Sequence, residues 1–166
     1  MREEIENIAA ATVEWLAEHG RTFATAESCT GGSIAAAITG IAGCSAVFKG
    51  SVVAYSNEVK AAVLGVGEDA LATYGAVSEE VVKQMAQGVQ RVMNVGCAVA
   101  TSGIAGPGGG TPEKPVGTVW IAVAVGGEVF TRLLQMDDNG RKANIEHTVF
   151  SALSFFCECA AETERG

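Results

Sequence analysis

The chain has few of the residues that mark several common protein classes. Only 3 of its 166 residues are prolines and only 2 are histidines, and its 5 cysteines form no Cys-x-x-Cys pair. With 48% hydrophobic residues, the composition argues against a disordered segment, a disulfide scaffold and a zinc site built on cysteine pairs. We expect no metal and no cofactor, and reduced, mostly buried thiols at Cys29, Cys44, Cys97, Cys157 and Cys159.

Positive charge is also scarce, and no apolar run is long. Lys and Arg number 11 against 19 Asp and Glu, and they are scattered singly, so the net charge is -8. Sequence-independent nucleic-acid binding needs several cations on one face, and we therefore expect no nucleic-acid partner. Runs such as "VGTVWIAVAV" are too short to span a bilayer, and the N-terminus "MREEIENIAA" is acidic where a signal peptide is basic. A cytoplasmic protein without a membrane partner is the simplest interpretation.

Strand-like and helix-like segments alternate along a chain whose length suits one domain, residues 1–166. Apolar spacing and capping residues predict helices from Glu3 to Glu18, from about Gly31 to Ile38, in "SNEVKAAVL", after Ser78 and after Gly140. Strands are predicted near Thr22 to Ala26, in "AVFKGSVVAY", in the buried "GCAVATS", and in a hairpin formed by "VGTVWIAVAV" and "EVFTRLLQM". This order predicts an α/β fold: a single-domain three-layer α/β/α sandwich with a mixed, mostly parallel sheet and one antiparallel hairpin.

The segment "AESCTGG" joins the first strand to the following helix. Ser28 precedes a helix N-terminus, where free N–H groups favour an oxyanion or a phosphate, so it is a candidate nucleophile. The alternative is structural: Ser28 or Thr30 caps the helix, and Gly31 and Gly32 serve close packing. We expect Thr30 to be the cap, which leaves Ser28 free to react. Cys29 has no histidine nearby in the sequence and is better interpreted as a buried thiol.

A nucleophilic serine needs a base, and the two histidines, His19 and His147, are not placed in strand-end loops. Lys60 stands in the first turn of a helix, where the helix dipole disfavours a cation and partial burial would lower the pKa of its amine. The alternative is an exposed lysine. Tyr55 is predicted to act as a proton relay or orienting group, and Asn57 is a candidate substrate ligand.

The loop "GIAGPGGGTPEKP" leaves the carboxyl end of a central strand, where open α/β sheets bind ligands. Ser102 and Gly103 begin it, and glycine backbone can approach a ligand closely. Arg141, at the start of the last helix, could pair with a phosphate through its guanidinium group, or it could be a solvated surface residue.

The motifs "TAESCTGG", "YSNEVK", "GAVSEEV" and "TSGIAGPGGGTPEKPVGTVW" together closely resemble the CinA C-terminal domain family. The resemblance runs from about Ile8 to the last helix. It implies an α/β/α sandwich that hydrolyses the carboxamide of nicotinamide mononucleotide to nicotinate mononucleotide and ammonia without a metal. It also implies a catalytic Ser28 and Lys60 with Tyr55 alongside, and a substrate site lined by Ser102 and Gly103. Backbone N–H groups from Thr30 to Gly32, or at Ser102 and Gly103, would hold the oxyanion.

One position departs from the family pattern. The family usually has a second arginine one turn after the position of Arg141, and this chain has Ile145 there. The phosphate would then be held by Arg141 with weaker or different help. The same departure supports an alternative function, a nucleotide-binding or regulatory module without amidase activity. The hairpin and the family suggest a homodimer.

Overall fold

Five strands form one mixed sheet. They are β1 (Phe23–Glu27), β2 (Phe48–Val53), β3 (Cys97–Gly103), β4 (Thr118–Val125) and β5 (Glu128–Gln135). The strand order is β2-β1-β3-β4-β5; β1 pairs in parallel with β2 and β3, and the pairs β3 with β4 and β4 with β5 are antiparallel. These features come from a computed structural model, which describes residues 1–165. Only β4 runs against the other strands, so the predicted mixed, mostly parallel sheet is confirmed.

Helices cover both faces of the sheet. They are α1 (Arg2–Glu18), α2 (Ser33–Thr39), α3 (Asn57–Leu64), α4 (Glu68–Tyr74), α5 (Glu79–Met93) and α6 (Arg141–Arg165). One core joins the sheet to α1, α2 and α6, and it includes Leu16, Ile34 and Phe156. The core on the other face joins the sheet to α3 and α5. The three-layer arrangement is therefore confirmed. No helix within residues 1–165 is long and apolar enough to cross a membrane.

Small residues let α5 pack close to the sheet and α3 pack close to α5. The sheet face beneath α5 carries alanines from three neighbouring strands: Ala24, Ala26, Ala98, Ala100, Ala122 and Ala124. In α5, Gly88 packs so tightly on α3 that an added Cβ atom would lie 2.1 Å from the carbonyl oxygen of Leu64. Because α3 is held this closely, the buried side chain of Lys60 in its first turn is brought against the end of β1.

The predicted elements are all present, and two short ones were not predicted. A 3-10 turn at Cys44–Ala46 precedes β2, and α4 follows α3. Helix α4 has seven residues and no buried side chain, so it gives no apolar periodicity to detect. The start of α2 was predicted near Gly31, and it is Ser33, because Gly31 and Gly32 have φ angles of 59° and 99° that no helix contains.

Candidate active site

Ser28 directly follows β1, at the edge where the carboxyl ends of β1 and β3 lie side by side. Its backbone N–H donates to the carbonyl of Thr101 at 3.1 Å, and its own carbonyl accepts from Gly31 N–H at 3.0 Å. The serine is 8% exposed. The main chain on both sides of the hydroxyl is therefore fixed by hydrogen bonds, and the candidate nucleophile has a defined position.

Lys60 reaches Ser28 from the first turn of α3. Its Nζ lies 2.9 Å from Ser28 Oγ, 2.8 Å from the carbonyl oxygen of Ala54 and 3.2 Å from that of Tyr55. The helix begins here because the hydroxyl of Ser56, its N-cap residue, accepts from the N–H of Val59 at 3.2 Å. The lysine is 1% exposed. The alternative of an exposed lysine is therefore wrong for Lys60, and the serine and lysine are in hydrogen-bond contact.

Burial makes the neutral form of the Lys60 amine easier to reach than it is in water. Burial lowers the pKa of Lys60 from its ordinary value, and only the nearby Cys29 acts in the opposite direction. Two of the three partners of Nζ are carbonyl oxygens, which can only accept hydrogen bonds. A neutral amine has two N–H groups for those two carbonyls and one lone pair, which then faces the hydroxyl of Ser28. This arrangement can take a proton from the serine.

Glu27, which the sequence interpretation missed, caps helix α2. Its carboxylate accepts from the N–H groups of Ile34 and Ala35, both at 2.9 Å, and from the hydroxyl of Thr30 at 2.7 Å. The prediction that Thr30 caps the helix is wrong: Gly32 occupies the N-cap position without a side-chain cap. Thr30 is 2% exposed and hydrogen-bonds Thr101 Oγ1 at 2.9 Å, so its hydroxyl holds the turn together.

The N–H groups of the turn differ in their availability. Gly31 donates to the carbonyl of Ser28, and Gly32 donates to Glu27 Oε1 at 3.2 Å. Among the described residues, 1–165, the N–H groups of Cys29 and Thr30 have no partner. Of the donors proposed from Thr30 to Gly32, Thr30 is thus the one left for a ligand.

A pocket of about 180 Å³ has on its wall Cys29, the residue after Ser28, together with several predicted residues. Tyr55 and Arg141 stand on its wall, and Arg141 donates to the phenol oxygen of Tyr55 at 2.7 Å and to the carbonyl of Gly106 at 2.8 Å. The phenol thus contacts Arg141, and Lys60 contacts only the main chain of Tyr55. The remaining wall is formed by Cys29, Gly103, Ile104, Ala105, Gly106, Gly108 and Gly109.

Of the remaining candidates, Gly103 lines this pocket, and Ser102 and Asn57 are not among its lining residues. Ser102 is 1% exposed. Glu27 of β1 pairs with Thr101 of β3, so Ser28 and Ser102 occupy equivalent positions, each one residue after this pair. Gly103 is required for packing, because an added Cβ atom would lie 2.4 Å from a methyl group of Val119. Asn57 is exposed at the start of α3. Ile145 lies outside the pocket and lines a groove of about 690 Å³ between α1, α2 and α6.

The other nucleophile and base candidates lie in unsuitable surroundings. Burial raises the pKa of the Cys29 thiol to about 12, so it stays protonated near neutral pH. His19 ends α1 and stacks on Trp15, and His147 is exposed in α6, as expected for surface residues. All five cysteines are free thiols. Within residues 1–165, no group of three or more His, Cys, Asp and Glu side chains is placed to hold a metal ion.

These features define a three-layer α/β protein with a serine–lysine pair at the carboxyl edge of its sheet. Residues 5–160 match the family model of the CinA C-terminal domain. The chain belongs to the CinA C-terminal domain family.

Relatives of two lengths match the chain. It is 48% identical over 151 residues to "Nicotinamide-nucleotide amidohydrolase PncC" of Pseudomonas putida, covering 89% of this chain and 94% of that protein. It is 50% identical over 139 residues to a "CinA-like protein" of Cytophaga hutchinsonii, covering 84% of this chain and 33% of that protein. The chain thus spans about a third of the length of such longer relatives. The crystal structure of the competence/damage inducible protein CihA from Agrobacterium tumefaciens matches with a TM-score of 0.91 and 44% identity, covering 93% of this chain and 94% of that one.

Proposed function

We propose that this chain hydrolyses the carboxamide of nicotinamide mononucleotide, giving nicotinate mononucleotide and ammonia. The observation that carries the proposal is the 2.9 Å contact between Ser28 Oγ and Lys60 Nζ in a nearly fully buried site. A serine and a buried amine in contact are the parts that acyl transfer needs. The substrate is taken from the name of the Pseudomonas putida relative, which matches over nearly its whole length.

The first half of the reaction transfers the acyl group to the serine. Ser28 Oγ attacks the carboxamide carbon while the lone pair of Lys60 takes the hydroxyl proton. The tetrahedral intermediate carries an oxyanion, and the free N–H groups of Cys29 and Thr30 stand in the same turn as the nucleophile to stabilise it. When the carbon–nitrogen bond breaks, Lys60 returns the proton to the leaving amine, which departs as ammonia. The product of this half is an ester on Ser28.

The second half repeats the same steps with water. Lys60, neutral again, takes a proton from a water molecule as the water oxygen attacks the ester carbon. The bond to Ser28 Oγ then breaks, the proton returns to Ser28, and nicotinate mononucleotide leaves. Lys60 can act in both halves because Ala54 and Tyr55 hold its two N–H groups and leave the third direction to the reacting oxygen.

The pocket beside Ser28 supplies the groups that would bind the nucleotide. Arg141 stands at the N-terminus of α6, and its guanidinium group and the helix dipole both favour a phosphate there. Tyr55 shares a hydrogen bond with Arg141 and presents an aromatic surface that is 57% exposed. We therefore place the phosphate at Arg141 and the pyridine ring between Tyr55 and the loop from Gly103 to Gly109. Ser102 and Asn57 stay predicted substrate contacts.

Ammonia release from nicotinamide mononucleotide tests the function directly. The purified protein is incubated with the nucleotide, and ammonia and nicotinate mononucleotide are measured together. We expect equal amounts of the two products with repeated turnover. Tight calorimetric binding of the nucleotide without product over several hours would instead support the alternative of a regulatory module. Turnover of another small amide but not of this one would assign the amidase a different substrate.

Replacing Arg141 by alanine is expected to raise KM for nicotinamide mononucleotide about 10- to 100-fold, the weight of one charge-assisted contact. Chemistry at Ser28 is not expected to change, so kcat should stay within about threefold. Lys142→Ala is the matched control, because Lys142 is an exposed cation in the same helical turn.

Nicotinamide riboside, which lacks the phosphate, separates phosphate binding from a structural effect. Arg141→Ala should leave kcat/KM for the riboside nearly unchanged. An equal loss for nucleotide and riboside would show that Arg141 supports the pocket and does not hold the phosphate. The homodimer and the cytoplasmic location stay predictions, which light scattering and fractionation would test.

A further inference from the structure

Glu27 is a fully buried carboxylate, 0% exposed, in the residue just before the candidate nucleophile. The ion pairs within residues 1–165 all involve other acidic residues, so a cation does not balance its charge there. Hydrogen bonds, and not a cation, hold the carboxylate of Glu27. Oε1 accepts from Thr30, Gly32 and Ile34, and Oε2 accepts from Ala35. Burying a carboxylate costs free energy unless its oxygens are hydrogen-bonded, and a fully hydrogen-bonded one makes the surrounding main chain rigid.

These hydrogen bonds enclose the turn that contains Ser28. The acceptor stands before Ser28 in the chain, and the donors stand two to seven residues after Ser28, so the side chain ties the start of α2 to the end of β1. On the sheet side, Oε2 lies 3.0 Å from the hydroxyl of Thr25 and 3.5 Å from that of Ser51. The carboxylate is thereby anchored to two strands as well as to the helix.

Successive side chains of a strand point to opposite faces, so Glu27 and Ser28 face different layers. The carboxylate lies under α2, and the hydroxyl of Ser28 lies against Lys60. Glu27 is hydrogen-bonded to neither Ser28 Oγ nor Lys60 Nζ, and it therefore acts through the backbone of the turn. A change in its hydrogen bonds would tilt the peptide that carries Ser28.

We propose that Glu27 is a positioning residue, whose carboxylate ties the first turn of α2 to β1 and so aims Ser28 Oγ at Lys60 Nζ. The kinetic part of this inference rests on the proposed amidase function. A nucleophile misplaced by about 1 Å loses about 100-fold in rate, while substrate contacts elsewhere in the pocket persist. The signature of the role is a loss in kcat without a matching rise in KM.

Glu27→Gln tests the role with almost no change in size. Both carboxylate oxygens of Glu27 accept from backbone N–H groups. In either orientation of the glutamine side chain, its NH₂ group would therefore face a backbone N–H, and one hydrogen bond would be lost. We expect kcat to fall about 10- to 100-fold with KM within about threefold. Glu27→Asp keeps the charge with a shorter reach, and it should restore part of kcat if α2 relaxes toward it.

Glu79→Gln is the matched control: Glu79 stands in the first turn of α5, and its carboxylate, like that of Glu27, accepts a hydroxyl hydrogen bond, here from Thr131. It contacts β5, three strands away from β1. The inference is overturned if Glu27→Gln keeps kcat within twofold of wild type. It is also overturned if Glu79→Gln lowers Tm as much as Glu27→Gln does and lowers kcat by the same factor. If Glu27→Gln does not fold, Glu27→Asp replaces it in the test. A Glu27→Asp protein with a reduced Tm and the kcat of wild type would overturn the positioning role.

A crystal structure of Glu27→Gln keeps this test separate from the proposed function. The expected result is a separation of Ser28 Oγ and Lys60 Nζ beyond hydrogen-bond reach, which is readable whether or not the nucleotide is the substrate. A retained contact at the present 2.9 Å overturns the positioning role. Absence of ammonia release by the wild type would count against the proposed function alone.

Discussion

Ser28→Ala is expected to lower kcat for nicotinamide mononucleotide at least about 10⁴-fold, because it removes the atom that we propose as the nucleophile on the carboxamide. The change deletes one oxygen from a side chain whose backbone is held by Thr101 and Gly31, so the turn should keep its shape. Binding of the nucleotide should survive, since Arg141 and Tyr55 are untouched. Ammonia release and calorimetric binding measured on the same preparation check both statements.

Cys29→Ala is the matched control for that experiment. It removes the neighbouring thiol, which is buried and whose pKa is raised to about 12. We expect it to keep kcat within about fivefold of wild type, with a modest loss of stability from the smaller buried side chain. If Cys29→Ala were inactive and Ser28→Ala active, the nucleophile would be the thiol, and the assignment of Ser28 would be wrong.

Lys60→Met is expected to lower kcat about 10²- to 10⁴-fold, the usual contribution of a general base. Methionine keeps a long unbranched side chain and removes the amine. The double variant Ser28→Ala with Lys60→Met should be no slower than Ser28→Ala alone, because the two groups act as one unit. A double variant slowed by the product of the two single effects would show that Lys60 works independently of Ser28.

The pH dependence of kcat reports the state of Lys60. Burial lowers the pKa of this amine, and the neutral form is the proposed base, so kcat should rise with pH through a pKa below the ordinary lysine value of about 10.4. Lys60→Met should lack this rise. A wild-type rate that falls as pH increases through the same range would contradict the role of Lys60 as a base.

The stability of the folded protein should show the same ionisation. Between the lowered pKa of the folded state and the value of about 10.4 in the unfolded chain, the unfolded state binds more protons. The free energy of unfolding of wild type relative to Lys60→Met therefore rises with pH across this window. Below it, both states carry the charged amine, and the folded state bears the full cost of burying it.

The fold and the pairing of Ser28 with Lys60 could be predicted from the sequence because their signals are local. Strand and helix periodicity placed every long element, and the position of Lys60 against the helix dipole, with the lack of a suitable histidine, singled out that lysine. The family resemblance added the substrate. Helix α4 was missed because seven residues without a buried side chain carry no periodic signal.

The role of Glu27 and the contact of Arg141 with Tyr55 could not be predicted, because each depends on the folded chain. Capping rules look for a side chain at the N-cap itself, whereas Glu27 caps α2 from the end of a strand, seven residues before Ile34. An acidic residue closing the apolar segment "TFATAE" was the one available signal. Tyr55 and Arg141 are separated by 86 residues, and only the fold brings the two side chains together.

Covalent attachment of the substrate to Ser28 is the most direct test of the serine–lysine mechanism. Wild-type protein is mixed with nicotinamide mononucleotide, quenched with acid during the first turnover and examined by peptide mass spectrometry. We predict that the peptide containing Ser28 gains the mass of the nucleotide less that of ammonia, and that this adduct is absent from Ser28→Ala. An adduct on Cys29, or formation of nicotinate mononucleotide by Ser28→Ala at the wild-type rate, would contradict the mechanism.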